Sequence, residues 1–142
     1  MSFEEKRAWI FLLVAIGGYA TYLGVILGRA DAGPVTEVAY AATLLWSIGA
    51  AIVASIALVA VAAFVSAEGV NHKDQRDREI HRFGEYVGQS FVILGGVVAL
   101  GMALAEWDHF WIANAIYAAF VLSAILGSVA KIVAYRRGFQ PW

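Results

Sequence analysis

The chain has no cysteine. That excludes a disulfide framework, thiolate metal sites and a cysteine nucleophile, and leaves the redox compartment open. Charge is scarce as well: 15% of residues are Asp, Glu, Lys or Arg, against about 25% in an ordinary soluble domain. Where the charge is missing matters more than how much is missing. No Asp, Glu, Arg or His falls at the middle of any long apolar run, and ion-coupled pumps and proton relays keep such a group there as the coupling device. No glycine-rich cradle for a phosphate is present. Nor does a hydroxyl sit near a histidine with a third orienting group, because His72, His81 and His109 all lie at the edges of the apolar runs. The chain therefore reads as neither an enzyme nor the holder of a cofactor, and period-2 alternation, the mark of membrane strands, is absent from its apolar runs.

What is present is hydrocarbon. Of 142 residues, 61% are hydrophobic, against roughly 45–50% in a soluble domain, so the solvent for most of this surface must be lipid. A bilayer core takes roughly 20 apolar residues as helix, and four runs qualify: 8–28, 38–65, 86–105 and 110–135. Backbone groups in lipid must be satisfied within the segment, so each run is helical. The expected fold is all-α, a single-domain four-helix transmembrane bundle over 1–142, up-down-up-down, with a loop at about 66–85. Lys6 and Arg7 precede a full-length span with no small-residue cleavage site after it, so a cleavable leader is not expected. Gly28, Gly33 and Pro34 break the chain after the first run, Thr36 or Glu37 can cap the second, and Gly69 follows it. Asp108 stands where the fourth helix needs an N-cap, with Trp107 and Trp111 beside it at interface depth. The short link there makes the third and fourth helices antiparallel neighbours.

Lys6, Arg7, Lys73, Arg76, Arg78, Arg82, Lys131, Arg136 and Arg137 fall on one side of these spans and only Arg29 on the other. Positive loops stay in the cytoplasm, which makes both termini and the 66–85 segment cytoplasmic. Small residues recur at helical spacing: Gly24/Gly28, Gly84/Gly88, Ser123/Gly127, and Ala50, Ala51, Ala54, Ser55, Ala57 and Ala60. Such faces let helices approach closely in lipid, either within one bundle or across a homo-oligomer interface.

Three groups are candidates for function. Lys73, Asp74, Arg76, Asp77, Arg78, Glu79 and Arg82 form the one long polar stretch. Asp74/Arg78 and Glu79/Arg82 are spaced to pair on a helix, and Ile80, Phe83 and Val87 make one apolar stripe, so this is a helical extension or a short interfacial helix. It reads as a connector whose arginines fix topology, as a docking face for a cytoplasmic protein, or as a pH switch through His72 and His81. The second group is aromatic and polar: Tyr19, Tyr22, Tyr40, Trp46, Asn114 and Tyr117 either line a small pocket for a lipid or quinone-like molecule or bond helices together within an aromatic belt. The third lies on the outer side, where Glu106, Asp108 and His109, with Asp31 and Glu37 nearby, are metal-ligand candidates or plain helix caps.

The run Lys73-Asp74-Gln75-Arg76-Asp77-Arg78-Glu79-Ile80 resembles the Asp-Glu-Arg-Asp-Arg-Glu-Ile signature of a family of small four-helix bacterial inner-membrane proteins of unassigned function, with Gln75 where the family carries Glu. The similarity extends to Trp107–Asn114 and Tyr135–Gly138, so that it spans about half the chain. Members are often encoded beside a small helix-turn-helix regulator. The resemblance implies a plasma-membrane protein that senses a condition and holds or releases a transcription factor, without contacting nucleic acid itself. Two alternatives stay open: a small oligomeric transporter or channel with a path through Tyr19, Thr43, Ser47, Gln89, Ser90 and Asn114, and an accessory subunit of a larger membrane complex.

Overall fold

The computed structural model describes residues 2–30, 33–34, 39–65 and 75–138. Its elements are α1 (Phe3–Arg29), α2 (Ala41–Val65), α3 (Gln75–Leu104) and α4 (His109–Arg137), with no strand among the described residues. Each helix is long and apolar enough to cross a membrane. The protein is the all-α four-helix bundle that its composition predicts. Thr36, Glu37 and Gly69, expected to punctuate α2, lie outside the described residues.

Local chemistry sets the helix ends. The Ser2 hydroxyl accepts from the Glu5 amide at 3.2 Å, and Glu4 and Glu5 occupy the positive first turn of α1, so this helix begins five residues before its apolar run. Asp108 caps α4 as expected, accepting from the Phe110 amide at 3.0 Å. Arg136 and Arg137 sit in the last turn of α4, where the helix dipole favours cations. The end of α3 is less ordinary. The Trp107 amide donates to the Met102 carbonyl and the Glu106 amide to the Ala103 carbonyl, a Schellman pairing that puts Glu106 in the left-handed region at φ 58°.

Residue pairings make neighbouring helices antiparallel. Ser47 of α2 meets Gly18 of α1, Tyr22 of α1 meets Asn114 of α4, and Gly84 and Gly95 of α3 meet Lys131 and Ala119 of α4. The chief packing pairs are α1–α2, α1–α4 and α3–α4. The order in space is therefore α2–α1–α4–α3, with α2 and α3 at the two edges. No residue of α2 is fully buried.

The α3–α4 seam shows what the small residues do. Gly84 lies against Gly127 and Lys131, Gly88 against Ser123, and Gly95 against Ala119. Gly84/Gly88 and Ser123/Gly127, read separately in the sequence, are thus two halves of one close contact. Gly24 and Gly28 differ, since a Cβ added at either would meet nothing within 4 Å. The core lies along α1 and α4. One cluster joins Tyr22, Ile26, Phe110, Tyr117 and Val121, and a smaller one joins Ala8, Leu12 and Ile132 nearer the chain termini. Large apolar side chains elsewhere point outward, Phe64, Trp46 and Leu104 among them, as lipid-facing positions do.

Candidate functional site

The charged stretch is not a loop where the structure describes it. Gln75 to Glu85 form the first three turns of α3, in unbroken helix with the apolar part. Ile80 is fully buried and Phe83 half-buried, so the predicted stripe holds the extension against the bundle. Two polar contacts clamp it to the last turn of α4. Tyr135 donates its hydroxyl to Asp77 Oδ1 at 2.7 Å, and Arg76 donates to the Tyr135 carbonyl at 3.4 Å with its guanidinium 5.9 Å above the Tyr135 ring. Glu79, which its spacing paired with Arg82, accepts at Oε1 from the Gln75 side-chain Nε2 at 3.0 Å. Arg78 and Arg82 are exposed. The seven candidate residues thus have different roles. Arg76 and Asp77 fasten the extension, Arg78 and Arg82 face outward, and Lys73 and Asp74, with His72, lie outside the described residues.

Beside this extension is a cavity of about 800 Å³ to which all four helices contribute. Each lines it with a stripe at helical spacing: Glu4, Arg7, Phe11 and Val14 from α1; Ile52 and Ile56 from α2; His81, Glu85, Gln89 and Val92 from α3; Phe120, Ser123, Gly127 and Lys131 from α4. Charge is confined to the end near the termini, and the far end is apolar. Lys131 Nζ donates to Glu85 Oε1 at 2.8 Å. Close by, Arg136 Nε donates to the mostly buried Glu5 carboxylate at 3.0 Å and its guanidinium lies 5.9 Å over the Trp9 ring. Arg7 is served less well. Its guanidinium lies 5.5 Å over the Phe11 ring and 3.9 Å from the Glu4 carboxylate, while its Nε is buried without a hydrogen-bond partner.

Five of the six aromatic-group residues come together, at the other end of the bundle. Tyr22 donates to Asn114 Oδ1 at 2.5 Å, and Asn114 Nδ2 donates to the Phe110 carbonyl at 2.8 Å. The Ser47 hydroxyl donates to the Gly18 carbonyl at 3.2 Å and shares a 2.6 Å hydrogen bond with the Tyr117 hydroxyl. The Tyr19, Tyr22 and Tyr117 rings stack and cross at centroid distances of 5.0–6.2 Å, and Tyr40 meets Phe110 edge-on at 5.1 Å. These rings fill the space between α1, α2 and α4 themselves. Trp46 faces away, 77% exposed. The group is a hydrogen-bonded core joining three helices, and it lines no part of the 800 Å³ cavity.

The acidic residues of the third group also have structural duties. Glu106 occupies the left-handed cap position of α3, Asp108 caps α4, and His109 Nδ1 lies 3.6 Å from Asp108 Oδ1. Among the described residues, no group of three or more His, Asp or Glu side chains converges as a metal site would require. Asp31 and Glu37 lie outside those residues. Arg29, the lone cation at this end, donates at 2.8 Å both to the Ala39 carbonyl and to Thr43 Oγ1, tying the end of α1 to the start of α2.

Sequence reasoning missed Glu5, Arg7, Glu85, Lys131 and Tyr135 as participants at the charged end of the bundle. Glu85 and Lys131 stand 46 positions apart and Glu5 and Arg136 stand 131 apart, so no local spacing reveals either pair. The available signal was the position of each charge within one or two turns of an end of an apolar run. Comparison with known protein families, with curated proteins and with solved structures finds nothing that matches this chain.

Proposed function

We propose that the chain is a multi-pass regulatory protein of the bacterial inner membrane, with both termini and the 66–85 segment in the cytoplasm. Its α3 extension docks a soluble regulator, of the helix-turn-helix transcription-factor class. The side assignment rests on nine of ten Lys and Arg residues lying on one side of the spans. One structural observation carries the rest: Gln75–Leu104 is a single helix. Arg78 and Arg82, exposed ahead of the apolar part, are therefore mounted on the same rigid rod that crosses the membrane. Any shift of α3 along α4 moves the charged face with it, which is how a condition in the lipid would reach a soluble partner. Lys73 and Asp74 extend the charged run in the sequence ahead of this helix.

The test is photo-crosslinking from position 79 in native membranes, with the captured protein identified and assayed for DNA binding. The expected capture is a soluble DNA-binding protein that disappears when Arg78 and Arg82 are both changed to Ala. The same soluble proteins captured from both chains would rule the docking face out. The transporter alternative finds less support: of its six path residues only Gln89 lines the cavity, while Thr43, Ser47 and Asn114 are engaged in hydrogen bonds between or within helices.

A further inference from the structure

The cavity beside the α3 extension has a chemistry that the docking face does not use. Its charged end lies by the chain termini and its apolar end runs between Ile56 of α2 and Val92 of α3, the two edge helices. Because α2 packs chiefly on α1 and α3 chiefly on α4, the apolar part lies between edge helices that are not each other's main partners. A space charged at one end and hydrocarbon-lined at the other fits an amphiphile lying parallel to the helices, and about 800 Å³ is within the range of built ligand pockets.

The donors at the charged end select the headgroup. Lys131 is already satisfied by Glu85 at 2.8 Å. Arg7 is held more loosely: Glu4 stands 3.9 Å off, the side chain is 37% exposed, and the buried Nε alone has no acceptor. A buried guanidinium donor without an acceptor is costly, and a planar fork of this kind matches phosphate oxygens. We propose that the cavity is a lipid site, in which Arg7 takes the phosphate of an acyl phospholipid and Phe11, Ile56, Val92 and Phe120 take its chain. The site rests on the four helices lying in a membrane and is independent of the regulator.

Native mass spectrometry of the purified full-length chain in detergent tests it, with phosphatidylglycerol, diacylglycerol and inorganic phosphate added separately. Phosphatidylglycerol is expected to be retained by the wild-type chain, with about tenfold weaker retention by Arg7→Ala, the loss expected for one charge-assisted contact. Arg137→Ala, exposed and outside the cavity lining, is expected to retain it fully. Diacylglycerol, which lacks the phosphate, and inorganic phosphate, which lacks the chain, are each expected to bind weakly and without regard to Arg7. Ile56→Trp fills the apolar end from a position that is itself 66% exposed, and is expected to expel the lipid with Arg7 intact. Equal phosphatidylglycerol retention by wild type and Arg7→Ala, or diacylglycerol retained as well as phosphatidylglycerol, would overturn the proposal. If Arg7→Ala does not fold, unchanged retention by Ile56→Trp overturns it alone. No regulator is present in this experiment, so its failure leaves the docking face standing.

Discussion

Gly88 of α3 lies so close to Ser123 of α4 that a Cβ on the glycine would stand 2.9 Å from the serine hydroxyl and 3.0 Å from its carbonyl oxygen. The carbonyl cannot swing aside as a side chain could, so the helices themselves would have to part. Gly88→Ala is expected to destabilise the bundle by about 1–3 kcal/mol, the usual cost of overpacking a tight contact. Gly24→Ala and Gly28→Ala, with open space around each, are expected to stay within about 0.5 kcal/mol of wild type. Unfolding of the purified chains in micelles, titrated with a denaturing detergent, measures all three.

Arg136 and Glu5 join the two ends of the chain across α1 and α4. Removing the arginine strands a carboxylate that is mostly buried. Arg136→Ala is expected to cost about 1–2 kcal/mol, a range kept modest because the arginine side is half exposed and screened. Arg137→Ala, one residue on and exposed, is expected to cost nothing measurable, and Glu5→Gln combined with Arg136→Ala should recover part of the loss. The same detergent titration applies.

At the other end, Tyr22 is 1% exposed and gives its hydroxyl proton to Asn114. Tyr22→Phe is expected to cost about 1 kcal/mol, typical of one interhelical hydrogen bond in a membrane protein. Asn114→Ala leaves the tyrosine hydroxyl buried without that acceptor and is expected to cost more, about 1–3 kcal/mol. A pocket for a small molecule at this place would give little or no loss, since emptying a filled core destabilises whereas opening a ligand site need not. Thermal unfolding of both variants separates the two.

Glu106 holds a left-handed backbone that disfavours any side chain with a Cβ. Glu106→Gly is expected to raise stability by about 1 kcal/mol by relieving that strain within an unchanged Schellman cap. Glu106→Ala, which keeps the Cβ, is expected to bring no such gain. If both variants behave alike under thermal unfolding, the strain is not what distinguishes this position.

The four long apolar helices were legible in the residues because they depend on composition over long windows. A run such as 110–135 is apolar whatever packs against it, and Asp108 caps α4 through a bond spanning two positions. The helix ends were less legible. The apolar run of α1 begins near Ala8, but Ser2, Glu4 and Glu5 supply cap chemistry that starts the helix at Phe3. The charged stretch before Tyr86 carries helix formers and an apolar stripe, and that stripe, not its polarity, decided its form. The site was legible least of all. Asn114 and the tyrosines were recognisable as a group, but whether they enclose space or fill it depends on ring packing between helices 70 to 92 positions apart. The cavity came from the opposite circumstance, four unremarkable stripes brought face to face by the order α2–α1–α4–α3.

The proposed regulation through the α3 extension depends most on which side of the membrane that extension occupies, and the absence of native cysteine makes the side directly measurable. Gln75→Cys and Trp107→Cys place single exposed thiols at opposite ends of α3. With a membrane-impermeant thiol reagent on intact cells, the thiol at 107 is expected to react and the thiol at 75 to stay unlabelled until the membrane is opened. Labelling at 75 in intact cells, with 107 protected, would put the charged face outside and contradict a cytoplasmic docking role.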